Sequence, residues 1–188
     1  LGSNSQTASN MTFTSNTAGR AGGGIFIQDT VKVDATLLGN IVFDSNIANL
    51  YGGGVASLSP ATFIGEESKA SAVLFKGNIA SIGGGLFVVS LTGSSNDLTA
   101  YGNLTFDGNK AIGKPDNSEY DFVDMKYVSE DYEGSGGAIY VAGNFMLGTE
   151  DSQLIFTDND ALVGDGGAIR AFGVVIMRGS IIKFTDNS

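Results

Sequence analysis

The stretch Leu154-Ile155-Phe156-Thr157-Asp158-Asn159-Asp160-Ala161, with Gly166-Gly167-Ala168-Ile169 just after it, decides the fold because both parts recur along the chain. Phe-x-x-Asn occurs six times: Phe13 to Asn16, Phe43 to Asn46, Phe75 to Asn78, Phe106 to Asn109, Phe156 to Asn159 and Phe184 to Asn187. Successive phenylalanines are 30, 32, 31, 50 and 28 residues apart. Two residues after the Asn stands Ala18, Ala48, Ala80, Ala111 or Ala161. A Gly-Gly-(Gly/Ala)-aliphatic run follows each of those copies, beginning at Gly22, Gly52, Gly83, Gly136 and Gly166. A fixed period of this length is the signature of a stacked repeat, in which each unit buries its apolar side against the next.

Alignment on the Phe gives the secondary structure. Two residues before it stand Met11, Ile41, Val73, Leu104, Leu154 and Ile182, all apolar; the residue just after it is always polar. Strict inward and free outward positions alternating by two are the mark of a strand. The glycine run opens a second strand, with Leu86 and Val88 or Ile139 and Val141 spaced two apart, and Val31 to Asp34 or Val174 to Met177 suggests a third. No 3.6-residue pattern appears. The expected fold is therefore all-β: a right-handed parallel β-helix of about six coils, each of roughly 30 residues and three strands, with 1–188 as a single segment. Stacking puts the six Phe and six Asn residues into columns, an aromatic one and an amide ladder. The paired glycines serve a corner, where a positive φ or close backbone approach excludes a Cβ. These columns are read as architecture and not as a reaction centre.

Composition removes several chemistries. The 188 residues include no cysteine, histidine or tryptophan, which excludes disulfides, thiolate and imidazole metal sites, and His-based nucleophile triads. A net charge of −10 and a pI of about 4.2 argue against nucleic acid as a partner, since that requires basic charge. Glycine, at 28 residues, is abundant beside 2 prolines, and 42% of residues are hydrophobic, so the chain can build a core. No run is long and apolar enough for a transmembrane helix, and the N-terminus lacks the pattern of a signal peptide. Without a starting methionine the sequence reads as an internal or processed piece of a longer repeat protein.

The pairing of Phe156-Thr157-Asp158-Asn159 with Gly166-Gly167-Ala168-Ile169, and the second Gly136-Gly137-Ala138-Ile139, resembles the repeats of the chlamydial polymorphic membrane proteins. The resemblance covers nearly the whole chain. It implies a β-helix passenger secreted as an autotransporter and displayed at the cell surface as an adhesin. Three coils depart from it by carrying Gly-Gly-Gly before the aliphatic residue.

Two departures from the repeat are candidate sites. Asp158, Asp160, Asp165 and Asp186 form the densest group of acids, and carboxylates on one strip of a β-helix are the tools of polysaccharide lyases and glycoside hydrolases, or a seat for calcium. Asp158-Asn159-Asp160 begins like a calcium loop, but the twelfth position is Ile169, so an EF-hand is rejected. Solvated turn acids are the plainer reading; no catalytic, cofactor or metal residue is assigned. The other departure is the 50-residue interval, which holds an insertion, 113–133, with seven acids, two lysines and Tyr120, Phe122, Tyr127 and Tyr132. Its aromatic content suits a folded-back or contact loop, with Tyr120, Phe122, Asp124, Tyr127 and Tyr132 as candidate partner residues. Asn10-Met11-Thr12 and Asn103-Leu104-Thr105 are glycosylation sequons that matter only in a glycosylating host.

The leading functional expectation is a non-enzymatic, extracellular or cell-surface β-helix presenting loops to a host or neighbouring-cell protein or glycan. A structural subunit of a fibre or surface layer, self-associating end to end, is the alternative. A carbohydrate-active enzyme is the third.

Overall fold

The computed structural model describes residues 9–28, 31–34, 38–64, 72–89, 98–113 and 134–188. They form an all-β parallel solenoid with turns of about 31 residues and no helix. The first sheet carries the phenylalanines and consists of Ser9–Thr14, Leu38–Asp44, Ala72–Lys76, Asn103–Asp107, Gln153–Thr157 and Ile181–Thr185, paired in chain order. The second is made of two-residue strands from Thr17–Ala18 to Asp160–Ala161. The third runs from Ile25–Ile27 to Ile169–Ala171 and the fourth from Val31–Asp34 to Val175–Met177.

Two expectations need correction. Each coil contributes to four sheets and not three, because the residues after the Asn pair with those of adjacent coils as a short ladder of their own. Six strands pair in the first sheet but five in each of the others, so six Phe copies do not make six complete coils.

Register follows the repeat. Phe13 pairs with Phe43, Phe43 with Phe75, Phe75 with Phe106, Phe106 with Phe156 and Phe156 with Phe184. The inward side chains of three sheets meet in one core, where Phe43, Phe75, Phe106 and Phe156 join Val55, Leu86, Ile139, Leu98 and Phe145. Burying such side chains contributes about 1.5 to 3 kcal/mol each, which makes the strict inward positions the main source of stability.

The turn out of the first sheet has one backbone requirement. The residue between the Phe strand and the Asn has φ near +55° in every coil: Ser15, Ser45, Gly77, Gly108, Asp158 and Asp186. A left-handed residue there reverses the strand tightly, and Gly, Asp and Ser are residue types that accept or compensate that conformation.

The glycine pair answers two separate demands. Gly52 adopts φ +57°, a left-handed turn, while Gly53 has no room: a Cβ on it would lie 2.5 Å from Gly84 O and from Ile79 N of the next coil. The first glycine bends the chain and the second lets the coils touch. At the third position a Cβ on Gly54 would press Phe75 Cδ1 at 2.9 Å, whereas Ala138 and Ala168 occupy the equivalent place in later coils.

Candidate functional site

The Asn ladder is continuous. Nδ2 of Asn16, Asn46, Asn78, Asn109 and Asn159 donates to Oδ1 of the next member at 2.8 to 3.0 Å, ending on Asn187. The backbone N–H of each donates to the same Oδ1. The second Nδ2 hydrogen goes back one coil to the carbonyl of the preceding Phe: Asn46 to Phe13 O, Asn78 to Phe43 O, Asn109 to Phe75 O and Asn159 to Phe106 O. Each of these four buried amides thus donates twice and accepts twice, its full capacity. No lone pair or hydrogen is left to meet a substrate, and this chemistry is structural.

The phenylalanine column stacks beside it with centroid separations of 4.7 to 5.1 Å and planes within 15° of parallel, from Phe13 through Phe43, Phe75, Phe106 and Phe156 to Phe184. The spacing is that of adjacent parallel strands, so the rings stack because the strands do.

The four candidate acids do not converge. Asp158 and Asp186 are exposed and sit at the left-handed turn position, which is what those residues are there to satisfy. Asp160 accepts from the Ser188 hydroxyl at 2.6 Å and pairs with Lys110 Nζ at 3.3 Å. The Ser188 hydroxyl foremost holds its carboxyl below the ordinary range; burial pushes the other way, and the Lys110 ammonium adds to the lowering. Asp165 pairs with Arg170 at 2.8 Å. Among the described residues no three carboxylates come together as metal ligands would. Of the sequon residues, Asn10 Oδ1 accepts from Asn40 N at 3.0 Å and Asn103 Oδ1 from Gln153 N at 2.8 Å, each joining one coil to the next.

The insertion leaves and re-enters the solenoid at one point. Gly113 N and Gly134 N both donate to Ser81 O, at 3.2 and 2.8 Å. With 114–133 set aside, Ala111-Ile112-Gly113-Gly134-Ser135-Gly136 has the same length as Ala161 to Gly166 in the next coil. The candidate partner residues Tyr120, Phe122, Asp124, Tyr127 and Tyr132 lie outside the described residues.

One feature was missed by periodicity. On the outer side of the third sheet Tyr51, Phe87 and Tyr140 stack at 4.6 and 5.4 Å, and Phe172 continues the column, tilted, at 5.8 Å with Arg170 over its ring. Leu50, Ala56, Ile82 and Val89 pack with them into a second apolar cluster. The signal was apolar residues at the outward place just after Val55, Leu86 and Ile139, but Tyr51 enters from before its glycine pair, so no single spacing joins the set.

Comparison with known proteins finds the same kind of repeat. The Chlamydia polymorphic membrane protein repeat model matches residues 10–28 and 103–142. A probable outer membrane protein, pmp6, of Chlamydia pneumoniae is 34% identical over 170 residues, covering 86% of this chain and 12% of that protein. The probable outer membrane protein PmpG of Chlamydia muridarum (strain MoPn / Nigg) is 29% identical over 196 residues, covering 94% of this chain and 18% of its own length. The chain thus spans less than a fifth of either relative. No solved structure matches it. The matched repeats are of the polymorphic membrane protein type, and both relatives are named as probable outer membrane proteins.

Proposed function

We propose that this segment belongs to the displayed passenger of a surface autotransporter, a non-enzymatic rod that holds loops out for adhesion to a protein or glycan on a host or neighbouring cell. We take the coils to be right-handed, the hand of nearly all parallel crossovers, and read the sixth Phe strand as the opening of a sixth coil.

The observation that carries the reading is the corner at Ser81. A rod whose Asn and Phe columns are saturated by its own neighbours offers little specific chemistry, whereas the corner admits a 20-residue addition without changing the coil around it. Such additions on a rigid scaffold are where binding residues concentrate. The segment 114–133 carries −5 of the chain's charge, so a basic patch or a glycan bearing amino groups is the partner chemistry it fits.

The test is adhesion of beads coated with this chain to host cells, with and without 114–133. Loss of adhesion on deletion, together with weakening of the intact protein's adhesion by salt, supports the reading. Equal adhesion by both forms refutes the insertion as the contact. Concentration-dependent filaments in place of adhesion would favour the fibre alternative, and turnover of a polysaccharide would favour the enzyme.

A further inference from the structure

The outward face of the first sheet repeats in rows. Along its middle four strands Val42, Leu74, Thr105 and Ile155 lie in register, half-buried, each one residue before an inward phenylalanine. Asp44, Lys76, Asp107 and Thr157 form a second row, one residue after those phenylalanines. The charges in it alternate: minus, plus, minus. None of the three makes an ion pair among the described residues. The face thus shows water an aliphatic row beside charges that the fold itself does not pair.

Two copies of this face complement each other in one arrangement. Sheets that pack face to face keep their strands nearly aligned, so rows oppose rows. A two-fold axis parallel to the strands reverses the rod but keeps each row opposite its own counterpart. Placed between Ala72–Lys76 and Asn103–Asp107, it overlaps all six strands. Lys76 of each copy then faces Asp107 of the other, Val42 faces Ile155 and Leu74 faces Thr105. Moving the axis onto either of those strands sets Lys76 against Lys76 or Asp107 against Asp107, and like charges oppose docking. An axis along the rod would instead set Asp44 and Asp107 against Asn40 and Asn103, which carry no charge. We propose that the outward face of the first sheet is a docking surface for a second copy of this chain, lying antiparallel and joined by two Lys76–Asp107 pairs. Six strands about 4.8 Å apart and about 17 Å long cover about 500 Å² per copy, or about 1,000 Å² in all. That is the low end for a specific interface and sets a weak dimer. The pairing uses only described strands and does not rest on the adhesion reading.

Sedimentation of the whole chain over a concentration series should show a monomer–dimer equilibrium with a Kd of about 10 to 100 μM. Lys76→Asp and Asp107→Lys should each weaken it about tenfold or more, because each sets like charges together twice. The two changes combined should restore it to within about threefold. The absence of cysteine lets engineered disulfides report the arrangement. Val42 and Ile155 stand three strands apart in one copy, too far for a disulfide within the chain. Val42→Cys with Ile155→Cys, which leaves the charged row intact, should therefore oxidise to a covalent dimer about tenfold faster than either change alone. Should a charge reversal unfold the chain, the disulfide pair alone decides. A chain that stays monomeric to about 1 mM overturns the proposal. So does a dimer indifferent to both reversals or not regained by their combination, and so does Val42→Cys cross-linking as fast alone as with Ile155→Cys.

Discussion

Gly113 and Gly134, separated in the chain by residues 114–133, donate their amide hydrogens to one acceptor, Ser81 O. The corner is thereby closed by the scaffold and not by the insertion, because the hydrogen bonds that fix both ends belong to the preceding coil. Removing the segment shortens a loop whose ends already meet, and loop length itself adds little to the cost of closure. A chain with Gly113 joined to Gly134 is expected to keep β-type circular dichroism and to unfold in one cooperative transition. A spectrum without β structure would show that the corner cannot hold alone.

Asn78 offers the sharpest test of the ladder. Replacement by leucine strands the Phe43 carbonyl and the Asn46 amide in a dry core, and each orphaned group costs about 1 to 3 kcal/mol. Lys76, exposed two residues earlier, should tolerate alanine within about 0.5 kcal/mol. Denaturant unfolding of the two variants measures the difference; similar midpoints would contradict the role given to the amides.

The glycines should separate by mechanism. Gly77 has φ +58° and open space around it, with Ser45 Oγ the nearest atom to an added Cβ at 3.7 Å, so Gly77→Ala meets only the left-handed backbone penalty of about 1 to 2 kcal/mol. Gly53→Ala drives a methyl group into three backbone atoms of the next coil, Gly84 O, Ile79 N and Ile79 O, and should cost about 3 kcal/mol or prevent folding. Equal destabilisation of the two variants in the same unfolding assay would count against the close approach at Gly53.

Much of this was readable beforehand for a physical reason. Phe, Asn and the glycine pair each meet a demand that one or two residue types satisfy, so they repeat visibly. The turn position was not legible, because Ser45, Gly77 and Asp158 share a backbone conformation and not a side-chain property. Viewed as side chains, Asp158 and Asp186 suggested a carboxylate site; viewed as left-handed residues, they belong with serine and glycine. The second sheet was invisible because two-residue strands such as Ile79–Ala80 are too short to show alternation. The outer column was hidden by Tyr51, which reaches it from another part of the turn.

Asp160 gives a pH signature. Its carboxyl is held below the ordinary value in the folded chain by Ser188 and then Lys110, so its contribution is present above the unfolded carboxylate range and is lost as pH falls through the folded value. Lys110 is nearly half exposed, and screening limits the pair to about 1 kcal/mol or less. Asp160→Asn should therefore be slightly less stable than the parent at pH 7 and equal to it in strong acid. A stability gap that widens on acidification would reverse the sign assigned here.

The amide ladder also gives the rod a direction. Asn46, Asn78, Asn109 and Asn159 each pass one amide hydrogen to the oxygen of the following coil and the second to the carbonyl of the one before, so front and back of a coil are chemically unlike. A coil inserted backwards would set oxygen against oxygen. A coil added, lost or duplicated whole leaves every donor facing an acceptor. Change in length by complete turns thus preserves the pattern, and a partial turn breaks it, so a chain of this kind can be lengthened or trimmed like a strip of identical one-way links while its corners vary freely in what they display.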